Sequence, residues 1–556
     1  MSGNGATQAR VLGLDAKDNV LVALTDLRKG DTVSYLENEY ILLSDVPAKH
    51  KFVTRDVSAG GDVIMYGVLV GTTVESLRRG DLLSTRNIRH AAASFHETEV
   101  AGPHWIPPNV SAWANKTFLG YHREDGQVGS RNYWLVLPLV FCENRNLAVL
   151  KQAFEEELGF AAPQIYRGQV AELARLYREG KSEELQEFAF GETKRASASP
   201  KVFKNIDGIK FLLHEAGCGG THEDARNLCG LLAGYIHHPN VAGATVLSLG
   251  CQHAQVPMLL EEIKRRDPNF KKHLLIYEQQ KSPSEVAMMS RAIRETFLAM
   301  VEADKITRRP APLSKLTLGL QCGGSDGFSG LSANPAIGHV SDIISTLGGI
   351  GILSEFPELC GVEQQLIDRC VRKEVADRFA HLMRDYAARA KAVRASFEMN
   401  PSPGNIRDGL LTDAMKSAGA AKKGGTSPVT AAVDYPEYCT EPGLNLQCTP
   451  GSDVESVSAQ VGAGANVILF TTGLGTPTGN PIAPVLKIST NSNLAQRMSD
   501  IIDIDTGAVI TGESSIEQMG EVILERVIQV ASGEARTKAE LLGQDDFIPW
   551  KRGVSL

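Results

Sequence analysis

From residue 119 onward the chain repeats one pattern: a short apolar run, a turn of glycine and small polar residues, then an amphipathic helical stretch. YWLVLPLVF followed by NLAVLKQAFEEELG is the first instance, and IKFLLHEAG, GATVLSLG, HLLIYEQ, LTLGLQ, GIGILSE, ANVILFTTG and APVLKIST continue the strands. Strands alternating with helices imply parallel sheets joined by crossovers, hence an α/β architecture. In such sheets ligands collect at the carboxyl ends of the strands, so the residues just after each strand are the ones to read for chemistry.

The first part of the chain obeys a different rule. Residues 11–92 hold short β-branched runs, NVLVALTDL, DTVSYL, EYILL, KFVTRDV and DVIMYGVLVGTTVESL, separated by turns such as Lys29-Gly30 and Arg79-Gly80. They predict a small all-β domain over 1–96. The proline-containing stretch 97–118 reads as an exposed linker. A middle α/β domain is expected over 119–308, and a C-terminal α/β domain with a Rossmann-like parallel sheet over 309–556. The second boundary falls at ITRRPAPLS, after the long amphipathic helix SEVAMMSRAIRETFLAMVEADK. The polar segment 181–201 reads as a surface excursion, and no internal repeat is evident.

Composition narrows the function classes. Hydrophobic residues make up 43% and charged residues 22% of 556, ordinary globular values that exclude a disordered chain. With 57 basic against 65 acidic side chains the net charge is −8, which gives no support for a nucleic-acid partner. The start lacks a basic segment followed by an apolar one, and no run approaches the ~18 apolar residues of a membrane span. Nine cysteines without CxxC spacing argue against a disulfide framework or a zinc ribbon. A cytoplasmic protein without a membrane or nucleic-acid partner is expected.

Several strand ends are rich in polar residues and glycine, which lets backbone amides approach an anionic or hydroxyl-rich ligand. They are GSRN (129–132), CEN (142–144), HEAGCGGTH (214–222), GCQH (250–253), CGGSDG (322–327), SEFPE (354–358), NPSPGN (400–405) and STNS (489–492). Each has a plain alternative: free cysteines are among the most buried residue types, acidic residues after strands cap helices, and histidines favour helix ends. GLGTPTG departs from a dinucleotide fingerprint, and no GxGxxG with a following acidic residue is present.

The runs GYHREDGQVGSRNYWLVLPLVFCENRN, HEAGCGGTHEDARNLCGLLAGYIHHPNVAGATVLSLGCQHAQ, LGLQCGGSDGFSGLSANPAIG, SEFPELCGVEQ, NPSPGN and APVLKISTNS resemble the altronate and galactarate dehydratase family, over nearly all of 119–556. Residues 45–73, DVPAKHKFVTRDVSAGGDVIMYGVLVGTT, look like the β-clip (SAF-type) domain that family members carry first. Where the family usually reads Gly-His-Lys, Lys49 precedes His50 here. The resemblance implies an iron-dependent hydro-lyase, with manganese a substitute, that removes water across C2 and C3 of a six-carbon sugar acid. D-Altronate would give 2-keto-3-deoxy-D-gluconate, and galactarate would give 5-keto-4-deoxyglucarate. A non-enzymatic sugar-acid binder and a homodimer joined through the middle domain also belong to that frame.

Such chemistry needs metal ligands, a carboxylate clamp, a base and an acid. On that footing Asp326, Glu355 and Cys322 are expected to hold the metal. His214, Cys218 and Arg131 are the catalytic candidates, His214 as base or acid and Arg131 as carboxylate clamp. Asn132, Asn144, Ser325, Asn405, Thr490, Asn491 and His50 are expected to bind substrate. A less favoured cofactor is an iron–sulfur cluster gathered by Cys142, Cys218, Cys251 and Cys322.

Overall fold

The computed structural model describes residues 9–96, 104–161, 165–189 and 200–555. Its N-terminal part is a small all-β unit of short antiparallel strands, including Val20–Ala23 paired with Lys51–Val53 and Asp62–Met65 paired with Val68–Thr73. One repeat that the sequence hid is visible here. Antiparallel bridges join Leu27 to Val46 and Val57 to Leu77, and each of these residues opens a similar turn, LRKG, VPAK, VSAG and LRRG. The four turns share a shape through one buried apolar residue apiece, too sparse a pattern to register as a sequence repeat.

The middle domain carries four parallel strands, β1 (Tyr133–Pro138), β2 (Gly208–Phe211), β3 (Val241–Ser248) and β4 (His273–Glu278), in the order β2-β1-β3-β4. The C-terminal domain carries seven parallel strands: β5 (Thr317–Cys322), β6 (Ile350–Leu353), β7 (Val429–Val433), β8 (Gly443–Gln447), β9 (Val467–Thr472), β10 (Val485–Ser489) and β11 (Ile504–Asp505). Their order is β7-β8-β6-β5-β9-β10-β11. In that sheet the chain leaves β5 toward β6 on one side and later places β9 on the other, so a crevice opens at the carboxyl end of β5.

The two segments read as boundaries pair with each other. Thr117–His122, at the end of the expected linker, runs antiparallel to Arg309–Pro312, with Phe118 opposite Ala311. Residues 97–103 of that linker and 190–199 of the polar excursion lie outside the described residues. Strands β7 and β8 escaped the sequence reading because β8 buries Asn445 and Gln447, which interrupt an apolar run. Asn445 Nδ2 donates inside to Thr430 Oγ1 at 3.1 Å and to the Glu441 carbonyl at 2.8 Å, while its Oδ1 is left without a partner.

The N-terminal unit is docked on the C-terminal domain. Val63, Val70 and Leu83 share one apolar cluster with Phe328, Leu331, Leu411 and Met415. Polar bonds fix the register: Lys51 Nζ donates to the Gly409 carbonyl at 2.7 Å, and Thr412 Oγ1 donates to the Val70 carbonyl at 2.6 Å. Among the described residues no helix is long and apolar enough to cross a membrane.

Candidate active site

Strand β5 ends at Cys322 and turns through Gly323 and Gly324 into Ser325 and Asp326. Both glycines are needed there. A Cβ on Gly323 would lie 2.3 Å from Asp453 Oδ2, and Gly324 takes a left-handed φ of 58° against Thr476. From the neighbouring strand β6 the chain enters Glu355, a non-glycine residue with φ 65°. That conformation costs about 1–2 kcal/mol, and the bond from Glu355 N–H to Thr449 Oγ1, 2.9 Å, helps to hold it. Strain of this kind persists only where surrounding contacts impose it, and it gathers at functional sites.

The side chains brought together are charged and buried. Cys322, Glu355 and Glu358 each present one ligand atom within 4.8 Å of the other two, and all three residues are buried. Two lysines sit against them. Lys423 Nζ donates to Cys322 Sγ at 2.9 Å and to Glu355 Oε2 at 3.0 Å. Lys416 Nζ donates to Glu358 Oε1 at 2.7 Å and to Asn400 Oδ1 at 2.6 Å. Gln321, on β5, donates to Glu355 Oε1 at 2.6 Å.

The electrostatics follow from that packing. Burial and the neighbouring Glu358 push the Glu355 carboxyl up to about 8. Burial acts on Glu358 in the same direction, but Lys416 and Lys423 outweigh it and hold that carboxylate below its ordinary value. Burial pushes the Cys322 thiol up to about 12, so it stays protonated at neutrality. Asp453 opens the helix Asp453–Gly462 beside Gly323, and burial with Glu358 raises it to about 6. Two carboxyls that titrate on either side of neutrality next to a fixed carboxylate are what an acid–base site requires.

Just beyond, Asp326 is fully buried and receives a hydrogen bond from Thr490 Oγ1 at 3.1 Å and from Ser329 Oγ at 3.1 Å. Its partner ion comes from the N-terminal domain: Lys49 Nζ lies 3.0 Å from Asp326 Oδ2 and 2.8 Å from Asp408 Oδ1. Burial opposes the Lys49 charge, yet the two aspartates outweigh it and raise its pKa. Burial brings Lys51 down to about 7.

The residues expected from sequence fall in three places. Cys322 and Glu355 meet as expected, joined by Glu358. Asp326 belongs instead to the Lys49 contact, together with Thr490 and with Asn491, whose Nδ2 is 3.4 Å from Asp326 Oδ2. Asn405 Nδ2 holds the Ser325 carbonyl at 2.7 Å, and His50 Nε2 meets the Arg407 carbonyl at 3.1 Å. His214, Asn144 and Cys218 lie at the carboxyl edge of the middle sheet. His214 is buried, with Nε2 on the Pro138 carbonyl at 2.9 Å and Nδ1 accepting from Ala216 N–H at 3.2 Å. Both ring nitrogens are thereby engaged, and burial brings its pKa down to about 4. Asn144 Nδ2 donates to the His214 carbonyl at 2.9 Å.

Arg131 and Asn132 precede β1, at the opposite edge from the strand ends that bind ligands. Arg131 forms a two-pronged contact with Glu540, at 2.8 and 3.0 Å, and its remaining nitrogen donates to the carbonyls of Ser130 and Val530. Its fork is fully engaged within the protein. Asn132 bonds Asp207 and the Asn205 carbonyl. A broad cleft of about 1460 Å³ also lies on this side, lined by Asp125, His237, Lys315 and Tyr438, at the amino ends of β1 and β5 and away from the buried acid–lysine cluster.

Lys49, Lys416, Lys423 and Asp453 escaped the sequence reading. The signal for two of them was present: lysines inside MKSAGAAKKGG, a small and apolar run, are candidates for burial, and a buried lysine needs an acidic partner. As a donor set, one thiol and two carboxylates suit ferrous or manganous ion. The three atoms lie within 4.8 Å of one another, so Cys322, Glu355 and Glu358 would be able to hold a single divalent ion.

Comparison with known proteins agrees with this architecture. Three family models match in succession: the altronate/galactarate dehydratase SAF domain over 9–91, the D-galactarate dehydratase/altronate hydrolase second domain over 120–304, and the D-galactarate/altronate dehydratase C-terminal domain over 313–555. The chain is 32% identical to the altronate dehydratase of Escherichia coli strain K12, covering 98% of this chain and 99% of that one. It is 30% identical to the altronate dehydratase of Bacillus subtilis strain 168, over 93% and 94% of the two chains. Identity to the galactarate dehydratase (L-threo-forming) of Escherichia coli K12 is 28%, over 95% and 93%. The chain thus belongs to the altronate/galactarate dehydratase family of hydro-lyases.

Proposed function

We propose that this chain dehydrates D-altronate to 2-keto-3-deoxy-D-gluconate at the carboxyl edge of the C-terminal sheet, beneath the N-terminal domain. The observation that carries the proposal is the buried set of Cys322, Glu355 and Glu358 against Lys423 and Lys416, next to the Lys49–Asp326 contact. Cys322, Glu355 and Glu358 would hold a divalent ion, Fe2+ or Mn2+, which would supply Lewis-acid stabilisation of negative charge on the substrate carboxylate.

The protein's own groups do the rest. Asp453 Oδ2, on a carboxyl that titrates near 6, takes the C2 proton. Lys423 Nζ donates a proton to the departing C3 hydroxyl. Lys416 Nζ, held by Glu358 and Asn400, attracts the substrate carboxylate. Ser325, Asn405, Thr490, Asn491 and His50 border the space for the polyol, and the docked N-terminal domain shields it from water. Galactarate differs from altronate in its second terminal carboxylate, which would require a further cation, and Lys51 beside the pocket is the nearest candidate. The protein works as a cytoplasmic homodimer in this reading, consistent with nine free cysteines.

The test is an anaerobic assay of the whole chain loaded with ferrous or manganous ion, offering D-altronate and galactarate separately and detecting the keto-deoxy acid. Turnover of altronate is expected. Preference for galactarate would move the chain to the sister activity, and product from neither would overturn the reading.

A further inference from the structure

Six of the nine cysteines are buried or partly buried, as free cysteine usually is, but Cys142, Cys218 and Cys251 are exposed. These three share one location. Cys142 follows β1, Cys218 follows β2 and Cys251 follows β3, all beyond the carboxyl ends of adjacent parallel strands. The chain leaves β1 for β2 on one side and then places β3 on the other, so the three cysteine-bearing loops border the crevice of the middle sheet where a ligand is expected.

The loops that carry them are tied to one another. Phe141 N–H donates to the Ala216 carbonyl at 3.1 Å, and the N–H groups of His253 and Ala254 both donate to the Gly217 carbonyl, at 3.0 and 3.1 Å. Gly217 has φ 103°, and a Cβ there would lie 2.1 Å from the Leu139 carbonyl, so the Cys218 loop is pressed against the segment leading to Cys142. The Cys251 loop is braced from within by Gln252, which accepts from Gly250 N–H at 2.7 Å and donates to Ser248 Oγ at 2.7 Å. Beside Cys142, the Glu143 side chain is fully buried, and its Oε1 has no hydrogen-bond partner.

Three long helices begin directly after these thiols: Asn144–Glu157, His222–His237 and Val256–Arg266. The His222–His237 helix is closed by a capping box in which Thr221 Oγ1 accepts from Asp224 N–H at 3.1 Å. Among the described residues the three sulfurs do not form a set within 4.8 Å of one another, the spacing that one ion would need. A cubane separates its thiolate ligands more widely than a single ion does.

We propose that Cys142, Cys218 and Cys251 bind a [4Fe–4S] cluster. Cys322, grouped with them on sequence grounds, belongs to the C-terminal sheet against Lys423 and takes no part. Binding exchanges three thiol protons for three iron–sulfur bonds and leaves the electron count of the cluster unchanged. With three thiolates the 2+ cluster carries one net negative charge, and its fourth iron stays open to an oxygen ligand such as a hydroxy acid. The site is separate from the buried Cys322, Glu355 and Glu358 set, so it stands or falls apart from the reading given for that set.

The test uses the whole chain, purified without oxygen and reconstituted with sulfide and equal amounts of ferrous and ferric iron. Expected are about four irons and four acid-labile sulfides per chain, with the broad visible absorbance of sulfide-to-iron charge transfer. Cys142→Ala, Cys218→Ala and Cys251→Ala should each abolish that absorbance and the labile sulfide, while Cys322→Ala retains both. Because alanine at an exposed position leaves the core intact, unchanged circular dichroism in each variant is expected and ties the loss to ligation. Iron uptake without labile sulfide, or a cluster that survives replacement of all three cysteines, would overturn the proposal.

Discussion

Replacing Glu355 by glutamine tests the buried acid–lysine cluster through stability alone. In the native chain this carboxyl titrates near 8, against an ordinary 4.5. The folded state therefore holds a proton that the unfolded state releases, and stability falls as pH rises through that window. Each pH step of one between those two values is worth about 1.4 kcal/mol, so Glu355 removes about 3–4 kcal/mol of stability between about pH 5 and pH 8. Glutamine is nearly isosteric, keeps one carbonyl oxygen to accept from either Gln321 or Lys423, and does not titrate. Urea unfolding of chelator-treated wild type and Glu355→Gln across that range, followed by a signal from the C-terminal domain, should show the wild type losing more stability than the variant by about that amount. Parallel pH profiles would refute the reasoning, because they would mean that Glu355 is ionised in both states and that Lys423 fully compensates its burial.

Other perturbations separate substrate binding, catalysis and support. Lys49→Met leaves Asp326 buried without its cation, so a loss of about 2 kcal/mol and a raised KM with little change in kcat are expected, read from thermal unfolding and steady-state kinetics. Asp453→Asn should lower kcat by about 10²–10⁴ and leave the melting temperature near that of the wild type; unchanged kcat would remove it as the base. Arg131→Lys gives up the two-pronged contact with Glu540, and a loss of about 1.5–3 kcal/mol with kcat preserved is expected, since the residue supports the junction of two domains; a selective fall in kcat would place it in the site.

The parallel-sheet architecture was legible because it is written in a long-range pattern, apolar run, turn and amphipathic helix, which burial on both sheet faces enforces. Cys322 and Glu355 were legible for the related reason that residues after adjacent strands converge. What the sequence concealed was pairing across distance. Nothing near position 49 indicates that its lysine reaches Asp326 and Asp408, because that contact exists only once the β unit has docked through Val63, Val70, Phe328 and Met415. Arg131 and Asn132 show the converse. They precede β1, as their sequence position indicates, and their side chains bond buried carbonyls and a carboxylate within the protein. Strand β8 was missed because the Asn445 amide finds its acceptors only in the folded chain.

Conversion of D-altronate in deuterated water, followed by proton NMR, tests dehydration most directly. Loss of the C3 hydroxyl with removal of the C2 proton yields an enol that takes its new C3 proton from solvent. Conversion to 2-keto-3-deoxy-D-gluconate with a single deuterium at C3 is the predicted result. Altronate that remains intact, or exchanges its C2 proton without losing water, would contradict the assignment of this chain as an altronate dehydratase.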